Sequence, residues 1–176
     1  NSNGRLLRDA QYVNTLVDSG LDHIQITLES HRESIHNDMV ANAKAWQQTV
    51  AGIKNALASN LYVMTNTTLL TSNVAYLEDL LNFLAELGVK TVGLNALIYS
   101  GSGLNVQTGF PEEELPALLD KAKLICEQNN QRLIWYTPTQ YCHFNPIQMD
   151  LGVKGCTAAL YNMCIEPNGD VLPCQS

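Results

Sequence analysis

The side chains best suited to holding a metal gather at the end of the chain. Cys156 and Cys174 enclose a passage in which Asn168-Gly169 stands between Ile165 and Val171. Asn and Gly tolerate positive φ, so the pair predicts a tight hairpin turn that brings the two cysteines towards each other. Two thiolates from one loop are half of an iron–sulfur or zinc site. Structural zinc sites usually use Cys-x2-Cys or close His pairs, and no two cysteines here are that close, so the iron–sulfur reading is the better one. Three further cysteines, Cys126, Cys142 and Cys164, make an odd count of 5. With no secretory context they read as reduced thiols or metal ligands rather than a disulfide framework. Cys126 sits on the apolar face of a helical stripe and reads as core. Cys164 lies in a strand-like run and reads as a buried thiol, while Tyr141, Phe144 and Pro146 around Cys142-His143 point to a packed connection.

A second set of polar residues comes from alternating strands. Over residues 23–28, Ile24, Ile26 and Leu28 share one face, and Gln25, Thr27 and Glu29 fall on the other. Asn66 and Thr68 share a face with Met64 and Leu70, and Asn95 opposes Val92, Leu94 and Ala96. Parallel strands covered on both sides are apolar throughout, so a polar lining predicts a cavity for a polar ligand; edge strands with one wet face are the rival reading. Ligands in such sheets sit at the carboxyl ends of strands, where Glu29-Ser30, residues 66–68 and residues 99–103 fall. Ser100-Gly101-Ser102-Gly103 has no Lys and reads as a flexible loop over that mouth. His23, His31 and His36 have no metal-ligand spacing and read as solvated or capping residues.

The elements that must position these residues follow from periodicity. Strands are expected at 23–28, 61–70, 91–99 and 132–137. Val50, Ile53 and Leu57 mark one helix. Leu77, Leu80, Leu81, Leu84 and Leu87 mark a stronger one, with Ser72 or Asn73 as N-cap and Gly88 as its stop. A third opens at Pro111 with Glu112, Glu113 and Glu114 in its first turn, and residues 6–19 form a shorter helix at the front. Alternating helix and strand predict an α/β fold on a parallel sheet. After Pro138 the helical period disappears and a second module begins.

Composition narrows the function classes. Of 176 residues, 45% are hydrophobic and 15% charged, which fits an ordinary folded core. The net charge of −7 and pI of about 4.9 have the wrong sign for tracking phosphates, so no nucleic-acid partner is expected. No apolar run is long enough to cross a bilayer, so no membrane partner is expected either.

From Cys156, 12 residues lead to Gly169 and 4 more to Cys174. The passage resembles the opening of a SPASM domain, the auxiliary-cluster extension of radical S-adenosylmethionine (SAM) enzymes. Upstream segments agree in order. Ser2-Asn3-Gly4 resembles the Thr/Ser-Asn-Gly ending that family's third core strand, and Ile26-Thr27-Leu28-Glu29-Ser30 resembles the Ile-Ser-Leu-Asp-Gly on its fourth. Thr65-Asn66-Thr67-Thr68 followed by Asn73 resembles its fifth-strand passage, and Gly88-Val89-Lys90-Thr91-Val92 leads into the sixth.

The resemblance implies a partial (β/α)6 radical SAM barrel, TIM-like, from the end of strand three onward over residues 1–138. The connection and first part of a SPASM or shorter twitch domain would occupy 139–176. It implies an oxidoreductase or maturase in which a [4Fe–4S] cluster cleaves SAM to a 5′-deoxyadenosyl radical that abstracts hydrogen from a peptide or protein substrate. A flavodoxin or ferredoxin would donate electrons, and the reducing compartment would be the cytoplasm. By motif position, Thr27, Glu29 and Ser30 would face SAM, with Asn66 and Asn95 as further carry-overs, and Cys156 and Cys174 would ligate an auxiliary [4Fe–4S] cluster. Thr27 and Glu29 stand where the family has Ser and Asp, keeping a hydroxyl and a carboxylate at shifted reach. The family's Cys-x3-Cys-x2-Cys is absent from these residues, so we read the chain as an internal segment of a longer protein, not competent alone. Two other readings stay open: a noncatalytic α/β scaffold whose cysteines hold zinc or remain free, and a metal-independent α/β enzyme using the polar strand lining.

Overall fold

The computed structural model of the chain describes residues 1–99, 101–153, 155, 157–161 and 163–174. Helices and strands alternate as α1 (Ala10–Asp18), β1 (His23–Thr27), α2 (Glu33–Met39), α3 (Ala45–Leu57), β2 (Tyr62–Leu69), α4 (Leu77–Leu87), β3 (Thr91–Ala96), α5 (Leu115–Gln128) and β4 (Arg132–Trp135). A short hairpin, β5 (Cys164–Ile165) and β6 (Val171–Leu172), follows. The expected front helix is split. A 3-10 turn at Leu6–Arg8 comes first, and α1 restarts at Asp9, whose carboxylate accepts the Gln11 N–H at 2.9 Å as an N-cap. The three glutamates after Pro111 form a 3-10 turn that leads into α5 instead of occupying its first turn. Gly88 ends α4 in the left-handed conformation, as its position predicts.

β1, β2, β3 and β4 form one parallel sheet in chain order. Parallel neighbours need a crossover, and crossovers are right-handed, so a sheet wound in sequence order carries all its connecting helices on one face. Burial agrees. Ile24, Ile26, Leu28, Val63, Leu69, Val92, Leu94 and Trp135 join the helix residues Val13, Ile53, Leu80, Leu81, Leu84 and Leu119 in one core. Full burial of each Leu or Ile side chain stabilises by roughly 1.5–3 kcal/mol. On the opposite face Gln25, Thr27, Asn66, Thr68 and Asn95 are only partly buried.

The start of the chain extends this sheet. Ser2 bridges β1 in parallel, donating its N–H to Gln25 O at 2.9 Å and accepting the Thr27 N–H at 3.0 Å. The following turn presses against α3, because a Cβ on Gly52 would collide with the Gly4 carbonyl and meet Leu7 Cβ at 3.0 Å. Thr49 on the same helix donates its hydroxyl to Asn3 O at 2.8 Å. α3 therefore clamps the segment that carries Ser2 and Asn3.

Beyond β4 the chain turns back on the core. Phe144 is buried against Trp135, with ring centroids 5.9 Å apart, and Leu151 joins the same cluster. Packing on the sheet unit thus continues past the change of texture at Pro138.

Gly52→Ala should shift either α3 or the 2–5 segment, at a cost of about 1–3 kcal/mol. Thermal unfolding should show a lowered Tm; an unchanged Tm means the close approach at Gly4 does not exist.

Candidate functional site

Strand register aligns the polar residues in rows across the uncovered face. Thr27 pairs with Asn66 and Asn66 with Gly93; one step towards the carboxyl ends, Thr68 pairs with Asn95. Glu29 continues the second row, since its Oε2 accepts the Thr68 backbone N–H at 2.8 Å. Asn95 Nδ2 donates to the Thr68 hydroxyl at 3.2 Å, and that hydroxyl also bonds the Glu29 carboxyl. One hydrogen-bond chain therefore runs from β3 through β2 to the carboxyl beyond β1.

Glu29 is only 8% exposed. Burial removes the water that would solvate its charge and pushes its pKa up to about 7, against the opposing pull of the Thr68 hydrogen bonds. The backbone beside that carboxyl is fixed from two sides. Asn73 donates its amide to Glu29 O at 2.8 Å and to Thr68 O at 2.9 Å, and its Oδ1 accepts the Leu70 N–H at 2.9 Å. His36 Nδ1 accepts the Glu29 N–H at 3.1 Å. That bond fixes the neutral tautomer with the proton on Nε2, and burial lowers the His36 pKa to about 4.

Two roles therefore differ from the sequence expectation. Asn73 does not cap α4, which starts at Leu77; it staples the ends of β1 and β2. His36 is neither solvated nor a helix cap, being 2% exposed and bonded to the Glu29 backbone. The signal for Asn73 was its place just past a strand end, where an amide can satisfy two strand-terminal carbonyls. His36 carried no such signal, because α2 itself is too short to show a period.

The other expected site residues sit nearby in differing roles. Ser30 is buried and accepts the Arg32 N–H at 3.1 Å, which makes it a turn residue before α2. Thr27 borders a cavity of about 100 Å³ shared with Asn3, Arg5, His36, Asn42 and Thr49. Asn66 Oδ1 and Asn95 Oδ1 are buried acceptors with no hydrogen-bond partner. Beside Asn66, Gly93 leaves room for the Tyr136 ring, which lies over the face and donates its hydroxyl to Met64 Sδ at 3.6 Å. A Cβ at Gly93 would collide with that ring, which would have to move aside.

The segment after β3 crosses the carboxyl edge, and in place of the expected flexible loop residues Gly101–Asn105 form a 3-10 helix. Gly109 bridges Leu70, Thr71 donates its N–H to Thr108 O at 2.9 Å, and the Tyr99 ring packs on Gly109.

The cysteine module is legible in part. The hairpin forms, with Cys164 opposite Leu172 and Ile165 opposite Val171. Its turn spans Glu166 to Asp170; only Gly169 takes positive φ, at 92°, and Asn168 does not. Ala159 donates to Pro173 O at 3.3 Å, which sets the segment after residue 156 beside the residue before Cys174. Cys156 itself lies outside the described residues. Cys174 is exposed, and Cys164 is half-buried instead of fully enclosed. Cys126 is core as expected, its thiol pushed up to about 12 by burial. Cys142 is exposed, and His143 Nδ1 lies 3.7 Å from Glu112 Oε2. Among the described residues, no group of three His, Cys, Asp or Glu side chains could hold a metal ion. No helix of the described residues is long and apolar enough to cross a membrane. A scan against models of known protein families finds none that matches this chain.

Asn73→Ala leaves two strand-end carbonyls and one N–H without their partner, a loss of about 2–4 kcal/mol. Asn73→Asp should cost more, because it keeps the acceptor for Leu70 but sets a carboxylate against both carbonyls. Urea unfolding of the two variants checks the order; equal stability would remove the staple.

Proposed function

We propose that this chain forms the later strands of a radical SAM barrel, with the uncovered sheet face as part of its SAM site and the terminal hairpin as the opening of an auxiliary-cluster domain. Four observations support the reading. The sheet is wound in chain order with helices on one side, which is how a (β/α) barrel is built and how a doubly wound sheet is not. Ser2-Asn3-Gly4 follows a parallel bridge outside β1, where the end of a preceding strand belongs. Polar rows line the face that would point inward. The hairpin turns at Gly169, with Cys174 beyond it.

The single observation that carries most weight is the pair of unpartnered buried acceptors, Asn66 Oδ1 and Asn95 Oδ1, on the polar face where the Thr68 hydroxyl links Asn95 to the buried Glu29 carboxyl. Orphaned acceptors cost about 1–3 kcal/mol each and call for a ligand that brings donors. SAM brings an ammonium, ribose hydroxyls and an adenine amine as hydrogen-bond donors, so the donor requirement fits. Thr27, Glu29, Asn66 and Asn95 would hold it, and Ser30 would act through the turn that fixes Glu29. When bound to a [4Fe–4S] cluster, SAM supplies a hydrogen-abstracting radical; this chain's own residues supply binding and orientation. The cluster fit is narrower: the described residues offer Cys174 without two further ligands beside it. A peptide or protein substrate, an electron donor of the flavodoxin or ferredoxin kind and a cytoplasmic setting belong to the same proposal.

The test is anaerobic reconstitution of the intact protein that contains this chain with iron and sulfide, followed by assay for 5′-deoxyadenosine from SAM. Cluster absorbance and deoxyadenosine formation are expected. Their absence, or zinc without labile sulfide, would sink the proposal. Glu29→Ala should weaken SAM binding at least tenfold while the fold survives.

A further inference from the structure

We infer that ligand binding on the uncovered face is coupled to a proton at Glu29: donors of the ligand replace that proton, which leaves to solvent as the carboxyl ionises. The inference rests on the SAM reading of the site and adds its charge coupling.

Geometry carries it. Glu29 has no ion-pair partner among the described residues, and both hydrogen bonds it accepts come from one neutral residue, Thr68. The titratable and charged groups on the surrounding elements are each turned to other partners. On α2, His36 is neutral and accepts the Glu29 backbone N–H, not its carboxyl. On the segment before α2, Arg32 stacks on the Tyr76 ring at 4.0 Å. His31 Nε2 lies 4.0 Å from Asp79 Oδ2 at the start of α4. Arg5, near the start of the chain, donates Nε to Gln48 Oε1 at 2.6 Å. β2 and β3 contribute only Asn and Thr at this end.

A carboxyl so enclosed is held protonated by desolvation, and its displaced pKa of about 7 puts the change within reach of ordinary pH. The neighbouring acceptors Asn66 Oδ1 and Asn95 Oδ1 have no donor in the protein. A cation or a set of hydroxyls entering this face meets three acceptor groups, one of which strengthens greatly by losing its proton. The sign follows. The bound state holds fewer protons at Glu29 than the free state, so affinity must rise with pH until the free carboxyl is itself ionised.

Titration calorimetry of SAM into the intact, cluster-reconstituted protein tests this. Measured at pH 6 in two buffers of different ionisation enthalpy, the binding heat should differ by close to one proton released per SAM. Between about pH 5 and 7 the Kd should fall roughly tenfold per pH unit and then level. Glu29→Gln should bind without proton release and with a flat profile, and His31→Gln should keep the wild-type behaviour. SAM binding with no buffer dependence, or proton release that persists in Glu29→Gln or vanishes in His31→Gln, overturns the inference alone. Failure to bind SAM, with no deoxyadenosine formed, overturns the reading of the site and the inference with it. If Glu29→Gln does not fold, the wild-type pH profile beside His31→Gln still decides: a flat profile overturns the inference.

Discussion

Every feature of this sheet descends from the handedness of its crossovers. Four parallel strands in chain order place their helices on one face, so the sheet has one apolar side and one side that no helix of its own can cover. Strand composition obeys that division. Ile24, Ile26 and Leu28 alternate with Gln25, Thr27 and Glu29, and the first three are all buried. Had the strand order reversed at one point, helices would flank both faces and the polar rows would be untenable inside a core.

The cost of a polar uncovered face is met at the strand ends by side chains that do the work of backbone. Thr67 donates its hydroxyl to Leu28 O at 2.6 Å, Thr137 accepts the Ala96 N–H at 2.8 Å, and Asn73 serves three backbone groups at once. Each ties a strand to its neighbour where the ladder runs out. These bonds leave the acceptors at Asn66 and Asn95 unsatisfied on the polar face, as they leave Thr65 Oγ1 and Thr108 Oγ1 elsewhere.

The sequence made the sheet legible because period-two alternation and the leucine stripe of α4 are strong signals. All four strands and the helices α3, α4 and α5 form in the expected places, though β3 ends at Ala96 and β4 at Trp135, short of the expected 99 and 137, and α5 opens at Leu115 and not Pro111. α2 was not legible, since its seven residues bury only His36 and show no apolar stripe. Polar roles were the least legible part. Alternation places Glu29 and Asn66 on a face, yet whether an amide caps a helix or staples two strands depends on register between segments more than forty residues apart. The hairpin was readable from Asn168-Gly169, while its turn depends on Gly169 alone for positive φ.

The length of the Glu29 side chain, one methylene more than an aspartate's, has a physical consequence. A carboxyl one methylene further from β1 lets Glu29 reach across to the Thr68 amide and hydroxyl of the next strand, rather than remain at its own strand end. Cross-strand reach takes it out of water, which raises its pKa, and also ties it to Asn95 through the Thr68 hydroxyl. Fastening the sheet end and burying the carboxyl are then one arrangement. A shorter side chain would leave the Thr68 amide without this acceptor and the chain from β3 to β1 broken at its last link.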